Sequence, residues 1–156
     1  MSDAIESDMD FVIWALLNQA KDTLFKVRGN ELNQYGISAT ESQVLFTIHD
    51  LGGRTTPAAI SRRVYREHNT VTALLGRMEK KGLISKVRDK ERKNIWRIDM
   101  TEKGKDIFRQ SAKMESIHTV ISTLSDKELK QLETYLREIR DYALKQLTKE
   151  SVISFP

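Results

Sequence analysis

The feature that most constrains this fold is the stretch at residues 56–97, where two short helix patterns are followed by a hairpin pattern. Thr56 can cap the exposed amides that begin a helix, and Pro57 fits the first helical turn because no amide donor is needed there. A second helix is predicted from about Asn69 to Lys81, since its apolar residues recur at three- and four-residue steps and therefore share one face. Those residues are Val71, Leu74, Leu75 and Met78.

The hairpin pattern follows directly along the chain. Residues 83–87 predict a strand, residues 88–93 form a charged turn, and alternating apolar and charged residues predict a second strand at 96–100. Two short helices followed by a hairpin with a cationic tip predict a winged helix-turn-helix. The predicted fold class is mostly α with a small β-hairpin wing, in which N- and C-terminal dimerisation helices flank a winged module at residues 38–100.

The flanking helices carry more apolar surface than a chain of this size can readily cover. Seven consecutive apolar residues, FVIWALL at 11–17, wrap all the way round a helix predicted at 9–28. Two further helices are predicted within 101–149, and the second has an apolar seam at three- and four-residue steps. A second copy of the chain is the economical cover, although burial within a monomer is the alternative. We therefore predict one domain over residues 1–156, with dimerisation helices at 9–28 and 101–149.

Positive charge is concentrated in the central region. Residues 54–97 hold 13 Lys and Arg against 4 Asp and Glu, whereas the rest of the chain holds 13 against 18, within a net charge of +4. A basic middle between acidic flanks is typical of a protein that meets DNA phosphates with one part of its surface. A solvated charged surface is the plainer alternative.

The composition excludes several classes of protein. The chain has no cysteine, which rules out disulfides, zinc–thiolate sites and thiol-based redox sensing. No apolar run is long enough to span a bilayer, and the acidic first residues lack the basic start of a signal peptide. We therefore expect a soluble cytoplasmic protein with no membrane partner. No cofactor or metal is expected either, because the three histidines, His49, His68 and His118, do not make a ligand set.

Five short motifs lie between residues 36 and 104. They are GIS at 36–38, VL at 44–45, TVT at 70–72, RMEKKGL at 77–83 and MTEKG at 100–104. As a set they resemble the MarR family of bacterial and archaeal transcription regulators, with the flanking helices similar by layout only. One departure concerns the wing, where the family usually carries an Asp-x-Arg pair ahead of the second strand. Counting back from Thr101 places that pair at Arg92 and Asn94, so this chain lacks it and the usual internal tie of the wing is in question.

The second helix of a helix-turn-helix enters the major groove with its N-terminal half against the base edges. The residues predicted to lie there are His68, Asn69, Thr70, Thr72, Ala73 and Arg77. Asn69 can pair with adenine or can instead cap the helix, and both options stay open, whereas Arg77 suits guanine. The wing tip, with Arg88, Lys90, Arg92 and Lys93, is predicted to lie along the backbone or in the minor groove. Further candidate phosphate contacts are Arg54, Arg62 and Arg63.

The resemblance also implies a mode of regulation. MarR-like dimers commonly bind a small, often aromatic or anionic effector between the dimerisation layer and the winged module, which changes the spacing of the two reading helices. Candidate residues for such a site are Trp14, Tyr35, Phe46 and His49. Ordinary core and surface roles are the plainer alternative for each of them.

The sequence therefore predicts a sequence-specific regulator that binds double-stranded DNA as a homodimer on an inverted-repeat operator. A repressor is favoured over an activator, because occupancy alone is enough to block a promoter. An enzyme is not expected, since the chain shows no glycine-rich phosphate loop, no nucleophile–base constellation and no clustered metal ligands. The alternative is a winged helix used only for protein–protein contact, against which the basic reading face argues because such a face should be more apolar.

Overall fold

The computed structural model describes residues 8–151, and the acidic residues before Asp8 on which the signal-peptide expectation rests lie outside them. The helices in this part of the chain are α1 (Met9–Leu32), α2 (Ala39–Asp50), α3 (Pro57–Val64), α4 (His68–Lys80), α5 (Glu102–Ser111), α6 (Glu115–Ile121) and α7 (Asp126–Ser151). A 3₁₀ turn, Asn33–Tyr35, follows α1. The two strands are β1 (Ile84–Arg88) and β2 (Trp96–Met100). The predicted fold class, mostly α with a small hairpin, is confirmed.

Side-chain caps define where several helices begin. Thr56 Oγ1 accepts from the amide of Ala59 at 3.2 Å, with Pro57 in the first turn of α3. Ser38 and Glu41 form a reciprocal capping box at the start of α2, because each side chain accepts from the other residue's amide. These local signals stand where the sequence predicts them.

Two helix boundaries differ from the sequence prediction. The first helix does not stop at residue 28 but continues through Gly29 to Leu32, because Leu32 is fully buried in the core and its packing outweighs the low helix propensity of glycine. Where the sequence predicts two helices within 101–149, the described residues there form three, because the helix that begins after Thr101 ends at Ser111. The helical path breaks at Met114, whose φ of 51° lies in the left-handed region, and α6 starts at Glu115.

The hydrophobic core is formed by residues of the winged module and of the end of α1. Its fully buried large side chains are Leu32, Val44, Leu45, Ile48, Ile60, Val71, Leu75, Met78, Leu83, Ile84 and Ile98. β1 and β2 pair antiparallel from Ile84↔Met100 to Arg88↔Trp96. The backbone of Thr55 exchanges two hydrogen bonds of 2.8 Å with Ile98, which fixes the loop before α3 against the sheet.

The chain divides into two units, one up to Ile117 and one from His118 onward, so the boundary along the chain falls within α6. In the second unit, Ser125 and Glu128 form a capping box at the start of α7, as their three-residue spacing indicates. The apolar residues along α7 are largely exposed, including Leu132, Leu136, Ile139 and Leu147. None of the helices in residues 8–151 is long and apolar enough to cross a membrane. The layout of dimerisation helices around one module stays a prediction.

Candidate nucleic-acid interface and adjoining pocket

Helix α4 has one buried face and one exposed face. Val71, Leu74, Leu75 and Met78 are buried, as their spacing predicts. All six residues predicted to face DNA on this helix are exposed, namely His68, Asn69, Thr70, Thr72, Ala73 and Arg77. The hydroxyl of Thr72 donates to the carbonyl of His68 at 2.9 Å, so this side chain lies against its own helix. The helix therefore presents a continuous polar surface to solvent.

The start of α4 settles the open question about Asn69. The N-cap residue is Glu67, and its side chain makes no capping hydrogen bond. Asn69 is the second residue of the helix and not its cap. Its amide side chain is exposed, which leaves both donor and acceptor groups available to an external partner.

The wing is the β1–β2 hairpin with its connecting turn at residues 89–95. Asp89 ties this turn together, because its carboxylate accepts from the amides of Glu91 at 3.0 Å and Arg92 at 2.8 Å, and from Arg97 Nε at 2.6 Å. The hydrogen bond from the backbone amide of Arg92, followed by that from the side chain of Arg97, lowers the pKa of Asp89 to about 2. The ion pair between Asp89 and Arg97 thus holds the wing together, although this chain lacks the Asp-x-Arg pair that the family usually has there. An acidic residue at the start of a hairpin turn, with an arginine on the returning strand, was the signal for it in the sequence.

The cations of the wing fall into two groups. The guanidinium carbon of Arg88 lies 3.9 Å from the centre of the Trp96 ring, and Arg88 also donates to the carbonyl of Lys93 at 3.0 Å. Arg88 is therefore held against the hairpin by a cation–π contact. Lys90, Arg92 and Lys93 are exposed at the tip, and their side chains make no ion pair within the described residues.

The arginines predicted to meet phosphates are placed differently from one another. Arg54 and Arg62 are exposed, whereas Arg63 forms an ion pair with Asp50 at the end of α2. Arg54 has a φ of 38° and lines a polar cleft at the base of the wing. Also lining this cleft are Asp89, Lys90, Glu91, Arg92 and Arg97. The structure thus brings Arg54 together with two of the predicted wing cations.

Tyr65 is an exposed residue that is not among the predicted DNA or effector contacts. It ends α3 with φ 52° and ψ 45°, a left-handed conformation that bulky side chains rarely adopt. Its side chain is 63% exposed and lies in the turn between α3 and α4. In the sequence, the available indication of this conformation was a large aromatic residue at the turn between the two predicted helices.

An apolar pocket of about 370 Å³ lies between α1, α2 and the region where α5 gives way to α6. Its lining residues are Leu24, Phe25, Arg28, Ala39, Ser42, Gln43, Phe46, Phe108, Ser111, Ala112, Met114 and Ile117. This apolar pocket has the size and lining typical of small-molecule sites. Sequence periodicity could not find it, because its walls come from helices that are distant along the chain.

The four predicted effector residues do not meet in this pocket. Phe46 lines it, and the ring of His49 lies 4.7 Å from that of Phe108, another lining residue. Trp14 is 67% exposed on α1, and Tyr35 packs against the core. Only Phe46 of the four therefore belongs to the apolar pocket.

Arg28, in one wall of the apolar pocket, belongs to a tightly bonded charge pair with Glu31. Arg28 donates to Glu31 Oε2 at 2.7 Å and to the carbonyl of Ser111 at 2.6 Å. Glu31 also accepts from the amide of Glu115 at 2.9 Å and from the hydroxyl of Ser116. Burial raises the pKa of Glu31, but the hydrogen bonds from Ser116 and Arg28 outweigh it and hold the pKa below its usual value. Among residues 8–151 no group of three or more acidic or histidine side chains is placed to hold a metal ion.

The chain is similar to known transcriptional regulators in both sequence and structure. A model described as MarR family matches residues 35–93. The uncharacterized HTH-type transcriptional regulator YsmB of Bacillus subtilis (strain 168) is 27% identical over 120 residues, which cover 75% of this chain and 82% of that protein. The organohalide sensing RdhR-CbdbA1625 transcriptional regulator, in its 2,4-dichlorophenol bound form, is 28% identical with a TM-score of 0.82, over 88% of this chain and 82% of that one. A mutant MarR from E. coli, complexed with operator DNA, shares the fold with a TM-score of 0.76 at 19% identity, over 85% of this chain and 99% of that one.

Proposed function

We propose that the chain is a MarR-family transcriptional regulator that represses transcription by binding an inverted-repeat operator as a homodimer. The observation that carries this proposal is the division of α4, with four apolar residues buried and six polar or small residues exposed. A helix of this kind, supported by the helix before it, fits the major groove of B-DNA. In this proposal the chain binds its operator DNA in the cytoplasm and catalyses no reaction.

Within this interface we assign the outer face of α4 to base reading and the surrounding cations to the backbone. Asn69 suits adenine and Arg77 suits guanine, because each offers a bidentate pair of groups. Thr70, Thr72 and Ala73 suit phosphates or thymine methyl groups. Phosphate contacts are assigned to the exposed cations of α3 and the wing, with Arg63 and Arg88 less available because each already has a partner.

Exposed apolar side chains support the homodimer. On α1 they include Phe11, Ile13, Trp14 and Leu16, and on α7 they include Leu132, Leu136 and Ile139. Several exposed apolar side chains on one helix are typical of a protein interface. Two copies reading half-sites about 34 Å apart combine contacts that are weak singly.

A selection of bound duplexes from a random pool, with the full chain, tests this function. We expect an inverted repeat, retention on duplex at low salt and release as salt rises. A chain that shows no preference among duplexes and no salt-dependent retention would instead be the protein–protein module, and the regulator proposal would fail.

Paired variants separate the assigned roles. We expect Arg77→Ala to alter the sequence preference, with a loss of about 1–3 kcal/mol at one base position. Lys90→Ala should weaken all sequences alike and reduce the slope of log K against log salt by about 1. Lys127→Ala, in the first turn of α7, is the matched control and should change neither quantity. Equal behaviour of the first two variants on specific and random duplexes would contradict the assignment.

We also propose that a small molecule modulates DNA binding through the apolar pocket. The support is its volume of about 370 Å³ and its aromatic walls, together with a regulator of 28% identity that was solved with 2,4-dichlorophenol bound. The pocket contacts α2, which packs against α3 of the DNA-binding module. A ligand there can shift the reading helices, provided that it binds one arrangement better than the other. Release of a bound operator duplex by a pocket ligand is the test.

A further inference from the structure

The charge in the wall of the apolar pocket already has a partner. Arg28 is the one charged residue among the described residues that line the pocket. One guanidinium nitrogen donates to Glu31 at 2.7 Å, and another donates to the carbonyl of Ser111 at 2.6 Å. The side chain of Arg28 is only 11% exposed and that of Glu31 only 12%. Water therefore screens this pair little, and its net charge is zero.

Glu31 cannot easily leave Arg28 to make room for another anion. Its carboxylate also accepts from the amide of Glu115 and the hydroxyl of Ser116, at the start of α6. Turning the carboxylate away would break both of these hydrogen bonds as well as the ion pair with Arg28, and each of them is strengthened by the charge on the acceptor. Glu31 does not line the pocket itself, so it acts on a ligand only through Arg28.

We propose that Glu31 determines the charge preference of the apolar pocket, so that the pocket takes an uncharged aromatic molecule and rejects a carboxylate of the same shape. An anion entering the pocket would lose its water and face a guanidinium whose charge Glu31 already neutralises. Removing a charge from water without a new partner costs far more than removing an uncharged polar group. This inference rests on the proposed effector role of the pocket.

The remaining walls specify the shape of the ligand. Phe25, Phe46 and Phe108 line the pocket, and the rings of the last two lie 6.4 Å apart at an angle of 50°. Tilted aromatic rings favour stacking and edge contacts with a further ring. Ser42 and Gln43 on α2 provide hydrogen-bonding groups for one uncharged polar substituent. A flat molecule of one or two rings with a single amide or hydroxyl group fits these lining residues.

The test uses a matched pair of probes, 2-naphthamide and 2-naphthoate, which differ in charge but hardly in shape. Their binding to the full chain without DNA is measured by calorimetry. We expect the wild-type chain to bind 2-naphthamide at least about tenfold more tightly, because the carboxylate meets no uncompensated positive charge in the pocket.

Two variants should move the preference in opposite directions. Glu31→Gln keeps an acceptor for the amide of Glu115 but frees the charge of Arg28, so the affinity ratio should shift toward 2-naphthoate by about 10- to 100-fold. Arg28→Gln leaves Glu31 unpaired, so 2-naphthoate should bind still more weakly while 2-naphthamide is retained. Glu102→Gln removes an exposed carboxylate that pairs with Lys105 and should leave the ratio unchanged.

Three results would overturn the inference. These are 2-naphthoate binding to the wild-type chain as tightly as 2-naphthamide, neither probe binding, and Glu31→Gln weakening both probes equally. If Glu31→Gln does not fold, the wild-type ratio and Arg28→Gln decide the matter. Duplex binding by the same preparations keeps the two proposals apart. Its loss counts against the regulator, whereas absence of the expected probe preferences with intact duplex binding counts against this inference alone.

Discussion

Tyr65 shows backbone strain at the scale of a single residue. Its left-handed backbone, with φ 52°, is required by the turn between α3 and α4, yet the residue is a large aromatic one. A non-glycine residue in this conformation costs about 1–2 kcal/mol, because its Cβ crowds the following carbonyl. With 63% of its surface exposed, Tyr65 recovers little of this cost through packing.

We therefore expect Tyr65→Gly to raise the free energy of unfolding by about 0.5–1 kcal/mol, after allowing for the greater backbone entropy of glycine in the unfolded chain. Urea unfolding measures this change in the free energy of unfolding, provided that the m-value is the same in both proteins. Arg66→Gly, one position later, has no positive φ to relieve and should lower stability. A loss of stability in Tyr65→Gly would contradict the strain argument.

Asp89 makes the order of the wing depend on pH. Its pKa is lowered from 3.8 to about 2 in the folded chain, so the carboxylate stabilises the folded wing above about pH 4. That stabilisation is lost as the pH falls toward about 2. We expect the amide resonances of Glu91 and Arg92 to shift together with a midpoint near pH 2. Asp89→Asn should abolish this titration and broaden the wing resonances at neutral pH, whereas a midpoint near 4 would show that the carboxylate is not bonded as described.

At the scale of elements, α5 approaches the start of β1 unusually closely at Gly104. A Cβ placed there would lie 2.0 Å from the carbonyl oxygen of Leu83, which is backbone and cannot rotate away. The amide of Thr101 donates to the same carbonyl at 3.1 Å, and its hydroxyl donates to the carbonyl of Gly82 at 2.5 Å. These bonds fix the end of the wing against α5.

We expect Gly104→Ala to lower the free energy of unfolding by about 1–3 kcal/mol, because the overpacking exceeds the gain in helix propensity. Gly76→Ala in α4 is the matched control, since a Cβ there meets nothing within 4 Å. It should instead raise stability by about 0.5–1 kcal/mol through helix propensity. Calorimetric unfolding of both variants decides the point, and equal signs would show that the approach at Gly104 relaxes at little cost.

At the scale of the whole molecule, the exposed apolar residues of α1 lead to a prediction about assembly. We expect Trp14→Glu, at a position 67% exposed, to produce monomers in sedimentation and to weaken operator binding at a fixed concentration. The change places a charge in the proposed interface. Gln19→Glu, an exposed polar position on the same helix, should remain dimeric. A Trp14→Glu chain that stays dimeric would exclude this face from the interface.

The sequence alone determined what depends on neighbours along the chain. The caps at Thr56 and Ser38, the buried stripe of α4 and the alternation in β2 each follow from residues within one or two turns. The cationic wing tip is visible in the order of charges for the same reason. The prediction of a winged module rests entirely on such local patterns, and the structure agrees with it.

Only the tertiary structure decided what depends on residues far apart in the chain. Glu31 meets Ser116 across 85 positions, and Arg28 meets Ser111 across 83. Such contacts form the apolar pocket and neutralise the charge of Arg28 in its wall. They also determine that α1 ends at Leu32. Asp89 and Arg97 are only eight positions apart, but their tie exists because the hairpin returns the chain. No periodicity encodes these pairings, because burial in three dimensions selects which distant groups meet.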